Sequence, residues 1–359
     1  MTRKKETKVE AMAEPVDVVV TEPKLDEPQY RLPPDVSISL SIVPFAELID
    51  WPAKFLNLPE IWMKHSGKGV KVAVLDTGVD SAHPDLQGKI IAAKDFTGSP
   101  YGPSDRNAHG TWCAGCIAAN ADENGIRGVA FESQLVIAKV LGDQGSGSDS
   151  GILRGMTWCF DQGADIFSLS LGGGQMSESL HREFLRIAAA GKFIICAAGN
   201  DAGPINYPAA WADACLSVGA CDEQGRLTRF TSRGPSLGVV APGQNMISTI
   251  PDRKYGSMTG TSMATPMVAG ITALALAKHR IDGGRTPLDN ILHLRELYKH
   301  TSTPLPDGYG LVNPEKLLAG ILPPIVVVPP PSGLPLIPGF NAPFAYPPNA
   351  PVVLIYVKQ

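Results

Sequence analysis

Three reactive side chains in this sequence stand where a fold could put them to use. Asp76 closes the apolar run VKVAVLD, His109 opens the small-residue stretch HGTWCAGCIAA, and Ser262 follows Gly260-Thr261 in GTSMATPMVAG. A serine hydroxyl is a weak nucleophile near neutral pH. It needs a base within hydrogen-bond reach, and the base needs a partner that fixes its tautomer. Taken singly, each residue has an ordinary reading: a strand-end carboxylate as a cap partner, a structural histidine, a serine at a helix N-cap. Three such residues at element boundaries, each beside glycine, are harder to explain as separate caps. Gly78 lets the chain turn away after Asp76, and Gly260 permits close backbone approach before Ser262.

The elements that must position them are legible as apolar, β-branched runs separated by helical stretches. Strands are expected at VKVAVLD ending at Asp76, at 134–141, 165–172, 192–200 and 216–220. Near-continuous apolar strands alternating with helices predict an α/β fold with a mostly parallel central sheet and helices on both faces. In such sheets sites form beyond the carboxyl ends of the strands, where Asp76 stands.

With these strings in view, residues 52–317 resemble the subtilisin-like serine proteases. AVLDTGVDSAHPDL, AHGTWCAGCIAA, SLSLGGG, AAGN, YPAA, VVAPG and GTSMATPMVAG carry the likeness. The order Asp, His, Ser is itself the known subtilisin order. The resemblance implies an endopeptidase acting through an acyl-enzyme, with Ser262 as nucleophile, His109 as base and Asp76 orienting the imidazole. It makes Asn200 the side-chain donor to the oxyanion and Ser170-Leu171-Gly172 the edge that pairs with extended substrate. The primary specificity pocket then falls between that edge and 197–200, and Asp201 would favour basic substrates. Two positions depart from the commonest pattern, Trp112 and Met267, where histidine is usual; neither belongs to the triad.

The resemblance also implies structural calcium, held by Asp85 and Asp122 with backbone carbonyls of Asn120, Asn124 and Ile126. No cofactor is expected for catalysis. Cys113 and Cys116 invite a zinc or dithiol reading, but no second pair is present to complete a zinc site, so buried inert thiols are expected.

Composition excludes several functions. Thirty-one Lys plus Arg against 35 Asp plus Glu give a net charge of −4, which offers no general pull toward nucleic acid or an acidic membrane surface. No apolar run reaches the ~20 residues of a membrane helix. The first residues lack a signal-like apolar core, and six Cys suit a reducing compartment, so the cytoplasm is the expected location. The expected partners are protein or peptide substrates; oligomeric state stays open.

Glycine and proline divide the chain. Residues 1–60 hold 8 Pro and no Gly, 61–320 hold 13 Pro and 35 Gly, and 321–359 hold 11 Pro and 2 Gly. This suggests a leader over 1–50, a catalytic domain over 51–320 and a proline-rich tail over 321–359. The charged residues 1–36 read as mostly disordered. SISLSIVPF reads as a short strand, and its Ile42-Val43-Pro44-Phe45 resembles the inhibitory leader of intracellular subtilisins, implying a zymogen. A catalytically silent relative that binds through its tail is the alternative from another class; an intact Asp76, His109, Asn200 and Ser262 argue against it.

Overall fold

The apolar runs become neighbouring parallel strands. A computed structural model describes residues 29–32, 39–41, 46–173, 175–283 and 288–320. Its main sheet has nine strands in the order Thr303–Pro304, Gly310–Leu311, Leu237–Pro242, Leu216–Cys221, Phe193–Ala197, Ile166–Leu169, Lys71–Asp76, Gln134–Lys139 and Ile90–Asp95. All neighbours are parallel except the first pair, which is antiparallel. Lys71–Asp76 enters centrally. The next two strands in the chain lie on one side of it and the following four on the other, so the winding reverses beside it. That reversal opens the crevice in which α/β proteins place their sites.

Side chains of one strand feed two cores. Val72 and Val74 join the apolar cluster that holds Trp112, Ile117 and Leu274, while Ala73 and Leu75 join the one that holds Ile152, Met156 and Phe184. Helices His109–Ala118 and Thr261–Ile281 therefore cover one face, and Asp149–Asp161 and Glu178–Ala189 the other. The mostly parallel sheet with helices on both faces is the fold that the sequence led us to expect.

Every residue of His109–Ala118 is buried, and Thr261–Ile281 is buried from Thr261 through Ala277. Small residues make this possible. A methyl group on Gly110 would run into the Gly78 carbonyl, and Gly78 itself has φ +105°, so chain and helix touch backbone to backbone just after Asp76. Pro266 lies inside helix Thr261–Ile281 and has no N–H for the carbonyl of Ser262, four residues earlier.

Among the strands that escaped the sequence are two six-residue members of the main sheet. Ile90–Asp95 is an edge strand with several exposed positions, and IIAAKD lacks the continuous apolar character of a buried one. Leu237–Pro242 ends in proline and carries Gly238, which masked an otherwise buried strand. Of the short strand expected over 37–45, Ser39–Ser41 is among the described residues and runs antiparallel to Lys254–Met258. Ile42–Phe45 and the tail 321–359 lie outside the described residues. Residues 46–50 are tied to the body: Glu47 and Leu48 donate N–H to the carbonyls of Glu123 and Gly125 at 2.8 and 2.7 Å, and Asp50 caps Trp51 and accepts from Ile247. Among the described residues, no helix is long and apolar enough to cross a membrane.

Candidate active site

Asp76, His109 and Ser262 arrive from a strand end and two helix starts. Asp76 is the last residue of Lys71–Asp76, and its Oδ1 accepts from the Thr77 N–H at 2.7 Å. The same oxygen lies 2.8 Å from His109 Nδ1, with both side chains 1% exposed. A carboxylate oxygen can only accept there, so Nδ1 carries the proton and Nε2 is left as the basic nitrogen. His109 Nε2 is buried and has no hydrogen-bond partner in this structure.

Asp105 is a residue that sequence reasoning missed. It is buried, and its carboxylate accepts from Thr77 Oγ1, the N–H groups of Asn107, Ala108 and Thr111, and Thr111 Oγ1, at 2.6 to 3.0 Å. These bonds fix the turn that delivers His109, which is preceded by Ala108 at φ +86°. A carboxylate at a helix start also suits the helix dipole. Its sequence signal was present: an Asp four residues ahead of a helix-opening His.

Ser262 is the second residue of its helix, after the N-cap Gly260. Its hydroxyl donates to the carbonyl of Ser170 at 3.2 Å, and the Ser170 hydroxyl donates to the carbonyl of Ser262 at 2.8 Å. Cys113 stands beneath, its Sγ 3.9 Å from both His109 Nδ1 and the Ser262 carbonyl oxygen. Burial pushes the Cys113 thiol pKa well up, followed by the charge of Asp76, and burial also raises Cys116; both are free and buried, as the sequence suggested.

Asn200 is held to the residue before Ser262. Its Oδ1 accepts from the Thr261 N–H at 3.0 Å and from Thr261 Oγ1 at 2.8 Å, which sets the amide with its NH2 end turned the other way. A Cβ on Gly260 would lie 3.0 Å from Asn200 Nδ2 and 3.7 Å from the Ser262 nitrogen. Glycine thus leaves open a space that a side-chain and a main-chain donor share.

The edge Ser170-Leu171-Gly172 lies just beyond strand Ile166–Leu169 and is already paired. Arg31 and Gly172 exchange two backbone hydrogen bonds of 3.1 Å, and the Leu32 N–H donates to the Gly145 carbonyl at 3.0 Å. Gln29–Arg31 also runs antiparallel to Ser146–Ser148. The chain's own residues 29–32 therefore fill the slot between the two edges, and Tyr30 is fully buried there. The sequence had read these residues as part of a mostly disordered stretch and had looked for the blocking segment ten residues later.

Asn206 was also missed. Its backbone N–H donates to Ala198 at 2.9 Å, and its side chain lies against the backbone of both Gly172 and Gly199, in the expected primary pocket. Its side-chain amide donates to Asp201 Oδ2 at 2.9 Å.

Asp85 is buried, with Oδ2 accepting from the Ile126 N–H at 2.9 Å and Oδ1 from the Tyr255 hydroxyl at 2.8 Å. Burial raises its pKa, opposed by those bonds, and Asp122 adds to the rise as a like charge. A side chain on Gly125 would collide with both oxygens, so glycine keeps the pocket around them open. Both oxygens of Asp85 are thus taken by protein donors, and carboxylate oxygens such as those of Asp85 and Asp122 are the donor type a hard cation takes.

Comparison with known proteins gives the family. The subtilase family profile matches residues 67–315. The chain is 44% identical over 237 residues to the major intracellular serine protease of Bacillus subtilis, covering 63% of this chain and 73% of that protein. It is 42% identical over 235 residues to an intracellular serine protease of Paenibacillus polymyxa, covering 63% and 71%. It is 42% identical over 276 residues to Subtilisin Savinase of Lederbergia lenta, covering 75% and 98%. An α/β sheet with a buried Asp–His pair and a helix-start serine at its switch point is thus the scaffold of a serine hydrolase. The chain belongs to the subtilase family and is a subtilisin-like serine endopeptidase.

Proposed function

We propose that Ser262, His109 and Asp76 hydrolyse peptide bonds through an acyl-enzyme, and that the N-terminal segment restrains them. The 2.8 Å pairing of His109 Nδ1 with Asp76, beside Ser262, carries this reading. Ser262 Oγ leaves the Ser170 carbonyl and attacks the scissile carbonyl carbon while its proton passes to His109 Nε2. The oxyanion forms between Asn200 Nδ2 and the Ser262 N–H, donors that need not reorganise as charge develops. Collapse breaks the C–N bond, His109 protonates the leaving amine, and an ester remains on Ser262. Water then attacks that ester, giving its proton to His109, and the acid departs as the serine recovers its hydrogen.

Substrate would add as an extended strand to Ser170-Leu171-Gly172, using the backbone bonds that Arg31 makes now. The segment 29–32 must leave first, which supports synthesis as a zymogen. Calcium between Asp85 and Asp122 is a second proposal; it would supply charge neutralisation to that loop and takes no part in the chemistry. Cytoplasmic residence is a third, supported by six buried free cysteines. Reaction with a fluorophosphonate probe tests the core reading. Labelling is expected in the wild-type chain and lost in Ser262→Ala; a folded wild-type protein that takes up no probe overturns it.

A further inference from the structure

The pocket that takes Tyr30 carries a feature that the reaction itself does not require. Tyr30 is paired with Gly147, two residues before Asp149, and is completely buried among apolar side chains that include Leu141, Ile152 and Leu171. Asp149 opens helix Asp149–Asp161 and is only 9% exposed. Tyr30 Oη and Asp149 Oδ1 are both buried, and neither closes a hydrogen bond of good geometry in this structure. The two are near neighbours: burial first, and then Asp149, raise the pKa of the Tyr30 hydroxyl. A buried carboxylate oxygen with no donor, at the end of an otherwise apolar slot, is costly unless the occupant brings an O–H or N–H.

The place of this pocket along a substrate follows from the pairing. With Arg31 opposite Gly172, the second residue beyond Arg31's place in a bound strand stands opposite Ser170, whose carbonyl touches Ser262 Oγ. That residue supplies the carbonyl under attack. Tyr30 thus marks the fourth residue before the scissile bond.

We propose that Asp149 is a specificity-determining residue that selects tyrosine over phenylalanine at the fourth position before the cleaved bond, and that Tyr30 is the built-in occupant of the same pocket. This rests on the proteolytic reading above. An apolar slot alone takes either ring. A site that hydrogen-bonds a hydroxyl rejects the analogue lacking it, and one bond to a charged acceptor corresponds to about ten- to a hundredfold.

The test uses the full chain. Tyr30→Phe should raise the rate of fluorophosphonate labelling about tenfold, and Tyr30→Ala further still. In an Asp149→Leu background, Tyr30→Phe should change nothing. On the Tyr30→Ala protein, a peptide with tyrosine in the fourth position should be cut about ten to a hundred times more efficiently than its phenylalanine twin, and Asp149→Leu should bring the two within about threefold. Equal cutting of the twins, or Tyr30→Phe labelling like wild type while Tyr30→Ala labels faster, overturns the role of Asp149. No labelling in any folded variant, Tyr30→Ala included, would sink the proteolytic reading and this inference with it.

Discussion

Ser170 and Ser262 hold each other by two crossed hydrogen bonds, each hydroxyl donating to the other residue's carbonyl. Pro266 is the reason one of them exists. A helix normally satisfies the carbonyl of Ser262 with the N–H four residues on, and proline has none. The Ser170 hydroxyl, from the end of a different element, takes its place. Replacing it by Ser170→Ala should leave a buried carbonyl short of its donor and cost about 1–3 kcal/mol of stability. Thermal melting should show the loss, with turnover falling more than KM rises. An unchanged melting temperature would mean that another donor satisfies the carbonyl.

Asn200→Ala should lower turnover by about 10²–10³ with little change in KM, since the donor serves charge that develops only in the transition state; the scale was set on subtilisin itself and is borrowed for this relative. Steady-state kinetics on a peptide substrate decide it. A change confined to KM would move Asn200 from the oxyanion to ground-state binding.

Removing residues 1–32 should raise peptidase activity at least about tenfold, because a tethered strand competes with substrate at an effective concentration in the millimolar range. The cut spares Ser39–Ser41 and the anchors at Glu47, Leu48 and Asp50, so the body keeps its contacts. Activity unchanged in a folded product would show that the segment leaves the cleft unaided.

A chelator should lower the melting temperature if a cation relieves the repulsion between Asp85 and Asp122, and Asp122→Ala should abolish that sensitivity. No shift on chelation would remove calcium from this loop.

Asp165 gives the fold a defined acid limit. It bonds Arg280 at 2.7 Å and Lys192 at 3.2 Å and accepts from the Lys71 N–H. Burial alone would raise its pKa, yet these bonds outweigh burial and hold it below the usual carboxylate range. A depressed native pKa means stability that is present above the unfolded value of about 3.9 and is lost as pH falls through the native one. Asp165→Asn should therefore melt earlier at neutral pH and converge with wild type at low pH. Parallel curves across the whole range would show that charge is not its contribution.

Asp76, His109 and Ser262 could be singled out because each stands at a place the sequence marks by itself, a strand end or a helix start with glycine nearby, while the resemblance to subtilases supplied the roles proposed for them. Asn200 stood out through the AAGN string, and its proposed role too comes from the resemblance. What remained hidden depends on distance in the chain. Nothing in QYRLPP says that Tyr30 will meet Asp149, because the pairing is made across the fold and against a charged background that argues for disorder. Asn206 reads as an ordinary loop amide until Gly172 and Gly199 are seen on either side of it. Ile90–Asp95 failed for the opposite reason: as an edge strand it has no need of the apolar continuity by which its neighbours were found.

The six cysteines are all free and buried. A thiol in that position reacts only when the surrounding structure opens, so each one is a clock for the part of the molecule that covers it. Cys113, packed under His109 and Ser262, times the opening of the catalytic crevice, while Cys159, on a helix of the other face, times that layer. The protein therefore carries a built-in set of reporters, and the order in which its thiols become modified would map which part of the fold breathes first.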